Sequence, residues 1–121
     1  MTDHMTEDRR SLLMSLLRGE RPTAELRREL ARHPWDCESP LVTLEATHVR
    51  GMTQRFVDGL ISARDLEDWA DALELREDID MEAGKEDLLR ETIQRLANPE
   101  LYDPLTRDHA ADILREMDEV A

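Results

Sequence analysis

Cys37 stands four residues after His33 and beside Asp36, a grouping from which a thiolate nucleophile and its base can be imagined. Such catalysis needs the base held against the sulfur and donors placed for an oxyanion. Pro34 imposes an extended path between His33 and Cys37, and spacing alone does not set that geometry, so we read Cys37 as a partly buried structural cysteine. Glu45 and His48 form a Glu-x-x-His pair, the spacing by which di-iron carboxylate bundles place two ligands on one helix face. That centre needs a second such pair and two further glutamates, and the chain has no second pair, so His48 reads as an ordinary helix residue. Asp78, Asp80, Glu82 and Gly84 alternate like the start of an EF-hand calcium loop. Counted from Asp78, glycine falls at the seventh position instead of the sixth, and the twelfth is Leu89 instead of glutamate. A solvated acidic turn is the expectation there. His4 and His109 have no ligand-spaced partner, and the chain carries no Gly-x-Ser-x-Gly elbow, phosphate loop or zinc-protease motif. We therefore expect no catalytic site, no metal and no cofactor.

The elements that position these residues are helical. With 121 residues and 40% hydrophobic content, the chain is long enough to bury one core without staples. Its aromatic residues are Trp35, Phe56, Trp69 and Tyr102, so the core must be aliphatic, which suits packed helices. The stretch 62–82 organises the rest: Leu66, Trp69, Ala70 and Leu73 fall at i, i+3, i+4 and i+7. Ser62 with Asp65 supplies a capping box, and this helix is expected to end near Glu77 or Asp78. Other helices are predicted over 7–18, 23–33, 44–58 and 85–97, with a sixth running from a Thr106 cap to the end. Residues 1–5 are expected to be disordered. Segment 41–44 fits either a short extended piece or a helix capped by Thr43, and we prefer the cap. Segment 78–84 is expected to be a polar loop. Glu86–Arg90 and Glu91–Arg95 are candidate i,i+4 ion pairs. The expectation is one all-α domain, a compact bundle of about six short helices.

Charge narrows function further. Residues 1–60 hold 10 acidic and 9 basic side chains, whereas residues 61–121 hold 19 and 7, a net of −12. Such a surface repels a phosphate backbone and an anionic membrane, so neither nucleic acid nor membrane is an expected ligand. No apolar run approaches the roughly 18–20 residues that span a bilayer. The single cysteine and the absence of a basic-then-apolar opening segment point to the cytoplasm. Arginine supplies fifteen of the sixteen cations, which we read as the codon bias of a GC-rich bacterial genome. On the predicted helix of 62–78, Glu67, Asp71, Glu74 and Asp78 make an acidic stripe, and Asp80 and Glu82 extend it. Like charges at i,i+4 destabilise a helix by a few tenths of a kcal/mol each, a burden that solubility alone does not require. These six residues are the candidate contact surface for a basic protein, steered by charge.

Residues 56–66, reading Phe-Val-Asp-Gly-Leu-Ile-Ser-Ala-Arg-Asp-Leu, resemble the small helical immunity proteins that bacteria pair with colicin-type nuclease toxins, the colicin D type in particular. There too a helix ends, an Ile-Ser/Thr-Ala turn follows and a second helix begins. The resemblance implies a non-catalytic inhibitor whose acidic side chains occupy a toxin's basic groove. Two other readings stay open. One is a structural subunit of a homo-oligomer. The other is a metal- or thiol-dependent enzyme using Glu45/His48 or Cys37.

Overall fold

The computed structural model describes residues 3–33 and 39–120. Among these, six helices run in chain order: α1 (Asp3–Arg18), α2 (Thr23–Leu30), α3 (Ala46–Val57), α4 (Ala63–Leu73), α5 (Glu86–Ala97) and α6 (Arg107–Val120). Two three-residue strands, β1 (Val42–Leu44) and β2 (Ile79–Met81), pair in parallel with Val42 opposite Ile79 and Leu44 opposite Met81. The fold is all-α apart from this small sheet.

Each helix buries the stripe that its 3.6-residue period creates. Leu12, Leu13, Leu16 and Leu17 of α1 meet Leu66, Trp69, Ala70 and Leu73 of α4 in one core, joined by Leu89, Ile93 and Leu96 of α5 and Ala110, Ile113 and Met117 of α6. α4 lies on α5, α3 on α6, and α1 with α2 forms a helical hairpin. Trp69 is fully buried, and its indole N–H donates to the Leu16 carbonyl at 2.7 Å, so its one polar atom is satisfied while it ties α4 to the end of α1. The α1–α2 turn is compact because Gly19 sits at φ +63°, where a Cβ would come within 2.4 Å of the Met52 sulfur.

Several expectations change. α1 begins at Asp3, one turn before the expected start near Glu7. α2 is capped by Pro22 instead of Thr23 and stops at Leu30. Thr43 does not cap α3: it lies in β1, its side chain exposed between the buried Val42 and Leu44, and Glu45 takes the cap position. The expected polar loop 78–84 contains β2, whose Ile79 is buried against the core. α4 stops at Leu73, one turn early, because Glu74 turns extended (ψ 131°) and Leu75 enters the left-handed region at φ +63°. This break turns the chain so that Ile79 can pair with Val42. The expected pairs of α5 are also replaced: Arg90 meets Asp87, and Arg95 reaches across to Glu116 of α6.

Candidate functional site

Glu45 and His48 show what a motif can conceal. The Glu45 amide donates to His48 Nδ1 at 2.9 Å, and the His48 amide donates back to the Glu45 carbonyl at 3.0 Å. This is a capping box with histidine in the third position, serving the first turn of α3 and not a metal. Burial pushes the His48 imidazole below its ordinary pKa, against the pull of Glu45 and Glu82, which suits a ring nitrogen that must accept. Glu82, beyond β2, reaches the same turn: its Oε1 accepts from the Ala46 amide at 3.0 Å. That hydrogen bond, with Lys85 nearby, holds the Glu82 carboxyl below the usual carboxylate range. Among the described residues, no three His, Cys, Asp or Glu side chains converge as a metal site. Trp35, Asp36 and Cys37 lie outside the described residues, and His33 places Nε2 2.9 Å from Asp8 Oδ2.

The six predicted contact residues do not form one stripe. Glu67 and Asp71 remain on α4, where Arg64 (3.8 Å) and Arg27 of α2 (3.3 Å) face them. Glu74 ends the helix and accepts from the Asn98 side chain at 3.0 Å. Asp78 is 2% exposed and is removed from any surface. Its Oδ2 accepts from Arg9 of α1 at 3.0 Å and from Arg76 at 2.9 Å, while Oδ1 accepts from Arg76 at 2.9 Å. Burial works to raise its carboxyl pKa, but the two guanidiniums outweigh it and hold the group below its ordinary value. Asp80 is exposed, with Oδ1 accepting from the Met81 amide at 2.9 Å. The helix-based stripe therefore gives way to a segment, 74–82, in which some carboxylates turn inward and others outward.

Sequence reasoning missed what lies beside them. Leu75 is 85% exposed, and Leu60, Leu101 and Tyr102 are also exposed. A cleft of about 170 Å³ is lined by Leu73, Leu75, Ile79, Asp80, Met81 and Ile93. A second groove of about 420 Å³, lined by Ala63, Glu67, Pro99, Pro104 and Leu105, runs between the start of α4 and the α5–α6 connection. A third, of about 480 Å³, lies at the α1–α2 turn, where Arg21 is engaged by Glu25 and Glu29, and Arg55 by the Arg18 and Gly19 carbonyls. Leucine in a left-handed turn leaves no pattern in sequence, whereas the paired prolines of 99–104 did mark a surface connection.

Compared with protein-family models, curated proteins and solved structures, the chain matches none. No helix among the described residues is long and apolar enough to cross a membrane.

Proposed function

We propose that this protein is a non-catalytic, acidic, helical binding domain that engages a basic protein surface in the cytoplasm, as an inhibitor or immunity-like partner. The carrying observation is the surplus of unpaired carboxylates on the second half of the chain. Glu77, Asp80, Glu86, Glu91, Glu100 and Asp103 are exposed and, among the described residues, none forms an ion pair, although the arginines of this half are largely engaged by other carboxylates. Uncompensated like charge repels itself within the folded chain and gains most when a cationic surface meets it. The resemblance of residues 56–66 to the colicin D type of immunity protein points the same way.

The test begins with capture from an extract of the source cells and salt elution, followed by kinetics with the purified partner. The expected result is one basic protein whose association rate falls steeply with ionic strength and again when Glu77, Asp80 and Glu86 are replaced by Lys. An association rate indifferent to both changes would remove this reading. Self-association that persists at high salt would move it to a homo-oligomer built on the apolar groove at Pro99–Leu105.

A further inference from the structure

We infer that the cleft beside β2 receives an extended, cationic segment of the partner, which adds to the sheet along the outer edge of Ile79–Met81 with Leu75 as its apolar contact. This rests on the basic-partner reading above and says where and how that partner binds.

The edge follows from the ladder. The Asp78 carbonyl accepts from the Leu41 and Val42 amides at 2.9 and 3.4 Å, and the Glu82 amide donates to the Leu44 carbonyl at 2.9 Å. Residues 78, 80 and 82 thus direct their main chain toward β1, and by the two-residue period Ile79 and Met81 direct theirs away. β1 is the only strand beside β2 among the described residues, so that outer edge has no strand partner. Asp80 already serves the Met81 amide, leaving the Ile79 N–H and the Ile79 and Met81 carbonyls facing outward. Unpaired strand edges are the sites at which extended peptides add to sheets.

The walls suit one kind of visitor. Leu73, Ile79, Met81 and Ile93 floor a cleft of about 170 Å³, small enough for one side chain. Leu75 projects beside it, 85% exposed and at φ +63°, a conformation that bulky residues rarely adopt. The turn needs the left-handed conformation but not the leucine, since glycine would make the same turn without exposing an apolar side chain. The rim carries Glu74 and Asp80 beside Arg76 and Arg90, but the guanidinium of Arg76 is turned to the buried Asp78 and that of Arg90 lies 3.6 Å from Asp87, so the charges left for a visitor are the two carboxylates. An incoming strand with cations at alternate positions and apolar residues between them matches edge, floor and rim together.

The probe is a phage-displayed library of nine-residue peptides with Lys or Arg at alternate positions and randomised residues between, selected against the full chain. We expect enriched peptides whose binding shifts the amide signals of Ile79 and Met81. Affinity should fall at least tenfold in Leu75→Gly, which melts no lower than the parent. N-methylation of alternate peptide amides leaves the protein untouched, and it should abolish binding in one register and spare it in the other. Selected peptides that bind Leu75→Gly as well as the parent, or that shift residues 99–105 instead, would overturn the cleft assignment while leaving the basic-partner reading intact. A library that yields no binder overturns the cleft assignment as well, and the capture experiment above then decides the broader reading independently.

Discussion

Asp78 and Asp80 are two residues apart, carry the same group and have opposite surroundings. By strand alternation they should share a side, yet Asp78 is buried between two guanidiniums and Asp80 stands in solvent. The difference arises because β2 begins only at Ile79, so Asp78 still belongs to the turn that leaves Leu75 and can swing under the sheet toward α1. Its side chain ties α1 to the turn while its carbonyl starts the pairing with β1. The lesson is that the acidity of this segment has two functions. Inward carboxylates assemble the fold, whereas Asp80 forms no ion pair among the described residues and is one of the charges the proposed partner would meet.

Breaking the inward half should have the largest effect. Asp78→Ala takes the carboxylate from the nearly buried Arg9 and from Arg76, and removing one partner of a buried pair typically costs about 3–5 kcal/mol. We expect a loss near that size by urea denaturation. Because folding depresses the Asp78 pKa, its contribution is present above the unfolded value, about 3.9, and is lost as pH falls through the lower folded value. The parent should therefore lose stability on acidification below pH ~4, and the Asp78→Ala variant should show a shallower loss over the same range.

Leu75 sharpens the comparison from the opposite direction. The turn after α3 uses Gly59 at φ +79°, and the turn after α4 uses leucine at φ +63°. A left-handed residue with a Cβ costs roughly 1–2 kcal/mol, and glycine's extra chain entropy returns about half of that. Leu75→Gly should thus stabilise the protein by about 0.5–1 kcal/mol, read as a raised melting temperature. A drop would mean that Leu75 packs in a way its 85% exposure does not indicate.

The capping turn of α3 is a milder case of inward use. His48 must present a neutral Nδ1 to the Glu45 amide, and burial keeps its folded pKa below the ordinary value of about 6.5. A histidine held neutral contributes stability above its unfolded pKa and loses it as pH falls through the lower folded pKa. As pH falls below the ordinary histidine value of about 6.5 we expect the amide protection factors at residues 45–48 to drop, with those at the α4–α5 contact unaffected. Replacing His48 by Gln, which accepts at either pH, should flatten that response.

How far the sequence foretold these relations depends on distance along the chain. Helix faces were legible because Leu66, Trp69, Ala70 and Leu73 carry their own period, and the Ser62/Asp65 and Thr106 caps are local signals that the structure contains. Glu45-x-x-His48 was visible but ambiguous: the spacing that can hold a metal also closes a capping box, and only the bound amide distinguishes them. The sheet was not legible, since three residues cannot display a period of two and β1 meets β2 across two intervening helices. Nor was the fate of Asp78, which is decided by Arg9, 69 positions away. The acidic stripe failed for that reason. It assumed a helix continuing through residues that tertiary pairing needs elsewhere.

The smallest expected change in stability tests the outward half most directly. Asp80→Asn keeps an oxygen able to accept from the Met81 amide and removes only the charge. An exposed group engaged in no ion pair should leave stability within about 0.5 kcal/mol of the parent. If Asp80 belongs to a rim that steers a cationic partner, the same substitution should slow association with the captured partner at low salt and have little effect at high salt, because screening has by then removed the attraction. The comparison with Asp78 would collapse if Asp80→Asn unfolded the protein as readily as Asp78→Ala, since both carboxylates would then belong to the fold. It would stand, with its function reassigned, if Asp80→Asn left stability and association alike unchanged, for the outward charge would then serve only to keep the chains apart in solution.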